Sequence, residues 1–153
     1  MEISSKEISK DLILSHLKTL FLKKGYPENF LFWEKIFYFN YNNLEFTVEI
    51  TLVVEEKRPL LILNYHASKL GLASFERPTL SIARLFFNPL PYFAVLTNLQ
   101  NYILLEVYPQ KIKKGGEELI PDYKTIRSYQ PPFEKPFNKD IEEKILAFYL
   151  SGG

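Results

Sequence analysis

Apolar residues recur along this chain at changing intervals, and each change of interval marks a new element. Between residues 5 and 24, Ile8, Leu12, Leu17, Leu20 and Phe21 follow the 3.6-residue period of an amphipathic helix. Ser4 or Ser5 offers a capping oxygen to its first turn, Gly25 suits the left-handed position after its end, and Pro27 stops it. Lys18, Lys23 and Lys24 sit where the helix dipole favours cations. The period then falls to two. Residues 32–41 predict an aromatic-rich strand, Asn42-Asn43 a turn, and residues 44–54 a second strand. In that second strand Phe46, Val48, Ile50 and Leu52 are expected on one face and Glu45, Thr47, Glu49 and Thr51 on the other. Residues 55–58 read as a four-residue hairpin loop, and 59–66 as a strand apolar on both faces.

The second half alternates helix and strand. Residues 67–76 predict an irregular connection containing Gly71. Residues 77–87 predict a helix with Pro78 in its first turn. Short strands are expected at 92–97 and 102–108, with a turn at 98–101. Residues 111–116 read as a basic, glycine-ended loop, 122–128 as a short helix, and 139–150 as a final helix capped by Asn138. Strands flanking a crossover helix imply an α/β fold with a mixed central sheet of about five strands flanked by helices. No repeat or second domain interrupts residues 1–153, so one domain is expected.

Composition narrows the chemistry. At 153 residues the chain can bury a sizeable core without staples. With no cysteine it forms no disulfide, thiolate metal site or cysteine nucleophile. No secretory signal is visible, and no apolar run approaches the ~20 residues that span a bilayer. A cytoplasmic protein without membrane contact is therefore expected. A net charge of +1 provides no global attraction for nucleic acid, so any such surface has to be local. The 13 Phe and 10 Tyr are read as core and strand filling.

The hairpin supplies the candidate chemistry. If Val54 pairs with Pro59 across the four-residue loop, Glu49 lies opposite Asn64 and Thr47 opposite His66, so Glu49, Asn64 and His66 share a face. Glu49 and Asn64 would then offer oxygen ligands to Mg²⁺ or Mn²⁺, with His66 as a further ligand or as a base for water. The alternative for the same residues is a polar trio hydrogen-bonded among itself at a strand end. Elsewhere no Ser-His-Asp order, phosphate-binding loop or dinucleotide fingerprint is present, so no nucleotide cofactor is expected.

A resemblance covers nearly the whole chain. The order helix, strand, strand hairpin, crossover helix, strand resembles the restriction-endonuclease-like fold. The run Glu76-Arg77-Pro78-Thr79-Leu80-Ser81-Ile82-Ala83-Arg84-Leu85, followed by Phe93-Ala94-Val95-Leu96-Thr97-Asn98, is similar to the N-terminal domain family of type I restriction R proteins. So are Gly25-Tyr26-Pro27, Gly116-Glu117-Glu118-Leu119-Ile120-Pro121 and Glu143-Lys144-Ile145-Leu146-Ala147-Phe148. The resemblance implies a PD-(D/E)xK site with its first acid at Glu49, its second at Asn64 and its lysine at His66. Asparagine removes a metal-binding charge, and histidine removes the fixed cation that activates water. The chain ends where R proteins continue into a motor, so a stand-alone version is expected.

Three readings follow. The first is a degenerate nuclease domain that binds DNA or a protein partner without cutting and needs no cofactor. The second is a divergent active nuclease using Glu49, Asn64 and His66 with Mg²⁺ or Mn²⁺. The third is a protein-interaction module, a homo-oligomer among the options. Arg77 and Arg84, seven residues apart on one helical face, are candidate phosphate contacts, or pair with nearby acids or helix-end carbonyls. Lys111, Lys113 and Lys114 are either a second such contact or a solvated loop. His16 has no nameable partner.

Overall fold

Local chain chemistry sets the first element. In the computed structural model, which describes residues 9–68 and 71–152, α1 spans Lys10–Lys23. The caps expected at Ser4 and Ser5 lie outside the described residues. Ser9 caps the helix, its side chain accepting the Leu12 N–H at 3.2 Å. At the other end Gly25 adopts φ 92°. Its N–H donates to Leu22 O, and the Tyr26 N–H to Phe21 O. The Phe21 and Tyr26 rings lie 5.1 Å apart, the apolar contact that completes this type of helix stop.

A long hairpin follows, β1 (Leu31–Tyr41) and β2 (Leu44–Glu56). Asn42 and Asn43, at φ 50° and 63°, form the expected turn, since asparagine tolerates the left-handed region. Next come β3 (Arg58–Tyr65), α2 (Glu76–Leu85), β4 (Phe93–Thr97), β5 (Tyr102–Glu106) and β6 (Ile112–Gly115). The helices α3 (Tyr123–Ser128) and α4 (Lys139–Leu150) complete the chain. Asn138 caps α4 as expected, accepting the Ile141 N–H at 3.1 Å. The six strands form one sheet in the order β1-β2-β3-β4-β5-β6. Every pairing is antiparallel except β3 with β4, which the crossover through α2 makes parallel. The basic loop expected at 111–116 is largely β6. Its four residues are all exposed, so no apolar alternation marks it.

The expected β2–β3 register is overturned. Val54 pairs with Leu61, not Pro59, and Leu52 with Leu63. Lys57 alone makes the turn at φ 61°, and the ladder skips a residue between Leu61 and Pro59. Leu60 is that extra residue, and it points with Leu61 into the same core. Pro59 beside it has no N–H to give a ladder.

The sheet is covered on both sides. Leu52, Val54, Leu61, Leu63, Val95 and Leu104 pack against Leu17, Leu20 and Phe21 of α1 and Ile126 of α3. Val53, Ile62, Ala94, Leu96 and Leu105 pack against Leu80 and Ala83 of α2 and Leu146 of α4. This double burial explains the unbroken apolar runs of β3 and β4. Among the described residues, no helix is long and apolar enough to cross a membrane.

A buried carboxylate fastens α4 to α2. Glu142 is 3% exposed. Arg77 donates to both its oxygens, at 2.8 and 3.1 Å, Ser81 donates at 2.8 Å, and Arg84 stands 3.6 Å away. Burial alone would raise this carboxyl. The hydrogen bonds from Arg77 and Ser81 and the two guanidinium charges outweigh burial and hold it below the ordinary carboxylate value. Its contribution to stability is therefore present above the ordinary carboxylate pKa and is lost as pH falls through the depressed value. Glu142→Ala leaves two guanidinium groups facing each other without a counter-charge. The expected loss is about 3–5 kcal/mol, measured by urea denaturation at neutral pH. A loss under about 1 kcal/mol would mean that water already screens the cluster.

Candidate functional site

The candidate residues lie where β2 and β3 stop pairing. Beyond Leu52 and Leu63 the next opposed residues are Thr51 and Asn64. They bond through side chains. The Thr51 N–H donates to Asn64 Oδ1 at 2.9 Å, and the Tyr65 N–H donates to Thr51 Oγ1 at 3.1 Å. Each side chain thus satisfies a backbone amide of the neighbouring strand, and Asn64 is buried in doing so.

Glu49 does not join them. Val48 and Ile50 belong to the core under α2 and α4, whereas Leu52 and Val54 belong to the core under α1. The strict alternation expected from residue 46 to residue 52 therefore breaks at Thr51. Opposite it in β1, Glu34 adopts φ 55°, and the ladder skips from the Trp33–Leu52 pair to the Lys35–Ile50 pair. The break turns Glu49 towards α1, exposed and paired with Ile36. Electrostatics agree with this placement. The Lys10 ammonium at the start of α1 is raised above its ordinary value, first by its hydrogen bond to Glu34 and further by the charges of Glu34 and Glu49. Asn64 follows Ile62 onto the opposite side. The expected Glu49–Asn64–His66 cluster is thus not assembled, because the hairpin register and a strand irregularity both intervene.

His66 continues β3 by donating its N–H to Thr97 O at 2.9 Å, which extends the parallel pairing with β4. Its ring lies flat on Phe75, with centroids 4.0 Å apart and planes 5° from parallel. Phe75 in turn meets Tyr149 of α4 edge-on. Burial pulls the His66 pKa below its ordinary 6.5 and favours the neutral imidazole.

These donors do not suit a divalent metal ion. Thr51, Asn64 and His66 are neutral, and the Asn64 oxygen is already occupied by a backbone amide. Among the described residues no group of three His, Asp or Glu side chains is placed to bind a metal ion. The residue that sequence reasoning missed is Thr51. Pro59 was the available signal, since a proline inside an apolar strand points to a bulge and so to a shifted register.

The remaining candidates fall into two groups. Arg84 is enclosed, donating to Val107 O at 2.7 Å and lying 3.6 Å over the Phe137 ring. Arg77 is committed to Glu142 and Ser81. Both belong to the attachment between α2 and α4, not to an open phosphate-binding face. Lys111, Lys113 and Lys114 are exposed at the β6 edge, and Lys114 stands 3.5 Å from Glu76. Lys114 also borders a groove of about 580 Å³ lined by Ala73, Asn98, Gln100 and Asn101. His16 is exposed on α1. Two separated segments meet in space: Tyr26 donates to Pro121 O at 2.7 Å and Lys24 to Ile120 O at 3.0 Å.

No protein-family model, curated protein or solved structure matches the chain.

The His66 environment has a measurable consequence. A depressed histidine pKa means that the unfolded chain takes up a proton first. Stability from this group is full above 6.5 and is lost as pH falls through the lower folded value. Melting temperature should begin to drop below pH 6.5, and His66→Phe should flatten that limb. An identical limb in the variant would assign it to other groups.

Proposed function

We propose that this chain is a restriction-endonuclease-like domain, similar to the N-terminal domain of type I restriction R proteins, that binds without cutting. The observation that carries this reading is the residue facing Asn64. Where a hydrolytic site would need a carboxylate, Thr51 supplies a hydroxyl, and both side chains are used to hold strand backbone. A metal-assisted mechanism needs charge to hold the ion and a base to deliver hydroxide. His66, stacked on Phe75 and neutral, replaces the lysine that would orient the attacking water.

Nucleic acid is the ligand favoured here, because Lys111 and Lys113 are exposed at one sheet edge and form no ion pair among the described residues, with Lys114 on the other face of the same strand beside the groove. A short row of lysines makes phosphate contacts that position a strand without reading its sequence. With Arg77 paired to Glu142 and Arg84 buried, this contact is small.

Labelled single- and double-stranded DNA incubated with Mg²⁺ or Mn²⁺ should remain intact, with Glu49→Ala indistinguishable from the parent chain. Cutting that disappears in Glu49→Ala would overturn the reading. Binding at low salt should weaken about tenfold or more in Lys111→Glu/Lys113→Glu, with a logarithmic salt slope no steeper than about −3. Absence of binding at low salt would redirect the search to a protein partner.

A further inference from the structure

Beside α4, positive charge outnumbers negative. Arg77 and Arg84 share the one carboxylate of Glu142, and Arg77 takes both of its oxygens at hydrogen-bonding distance. The Arg84 side chain is 3% exposed, and its Nε has no hydrogen-bond partner. An unpartnered polar atom on a buried cation calls for an explanation.

Arg84 forms part of the wall of a cavity of about 480 Å³, between the loop after α2 and the segment that leads into α4. Lys135 and Lys139 line the same cavity, both exposed. Neither forms an ion pair among the described residues. Glu134 is the acid in this wall, and Arg58 holds it at 3.0 Å. Phe87 and Leu90 supply apolar wall. The volume falls within the range of small-molecule sites, which combine apolar walls with a few convergent polar groups.

We infer that this cavity binds a phosphate monoester carried on an apolar or flat body of mononucleotide size. Two exposed lining lysines, with the local acid already neutralised by Arg58, match a dianion better than a monoanion. A phosphate monoester near pH 7 carries about −1.5 to −2. Lys135 and Lys139 are the accessible donors, and the buried Arg84 charge adds field from beneath. The site uses side-chain cations where a phosphate-binding loop would use backbone amides. It draws on none of Thr51, Asn64 or His66 and holds whether or not the chain cuts DNA. The phosphate can come from a free mononucleotide or from the 5′ end of a strand.

Calorimetry at low ionic strength tests this with AMP, adenosine, and a single-stranded oligonucleotide with and without a 5′-phosphate. AMP should bind saturably, and adenosine should bind about tenfold more weakly or worse. Lys135→Ala/Lys139→Ala should weaken AMP by a similar factor at unchanged melting temperature, since both side chains are exposed. The Lys111→Glu/Lys113→Glu variant should bind AMP as the parent chain does, which separates this site from the sheet-edge contact. A 5′-phosphorylated strand binding more tightly than AMP would identify strand ends as the source, and the reverse order would identify free nucleotides. AMP binding no tighter than adenosine, or unaltered in Lys135→Ala/Lys139→Ala, would overturn the inference.

Discussion

The pairing of β3 with β4 imposes the constraint from which the other elements follow. Both strands are buried on two faces, so each face needs its own cover. α1 and α3 supply one, and α2 and α4 the other. The outer hairpin must then serve both sides, because β1 and β2 are longer than the strands they extend. They do so by changing face part-way along. Leu31 and Leu52 face α1, and Phe39, Val48 and Ile50 face the opposite core. The left-handed Glu34 is the local cost of that crossing.

The same crossing determines the candidate site. Had the strands run straight, Glu49 would have stayed on the face of Thr51. The irregularity sends Glu49 towards Lys10, and the bulge at Leu60 brings Thr51 opposite Asn64. Two small backbone events thus place opposite Asn64 a threonine whose hydroxyl braces a strand. His66 beside them uses its ring as a packing surface for Phe75.

Much of the architecture was legible because it is written locally. The α4 boundaries follow from Asn138 and the spacing of Ile141, Ile145 and Leu146, and the Asn42-Asn43 turn from residues that accept positive φ. The mixed sheet followed from strands on either side of a crossover helix. What escaped was non-local or unpatterned. β6 carries no buried residue and so no period. The β2–β3 register hinges on Leu60, and consecutive leucines look the same whether a strand is regular or bulged. The arginines at 77 and 84 were correctly placed on one helical face, but their partner Glu142 lies some sixty positions further along the chain. No short-range pattern announces such a partner.

That triad of charges also shapes how the sequence can drift. Replacing a buried ion cluster all at once with apolar residues of similar volume is often harmless, whereas losing one member strands the others. Positions 77, 84 and 142 are therefore joined in their evolutionary fate. A lineage leaving this arrangement one residue at a time passes through a less stable intermediate, unless a substitution elsewhere first relieves it. The attachment of α4 acts as a ratchet on divergence, holding these three identities together while the surface around them remains free to change.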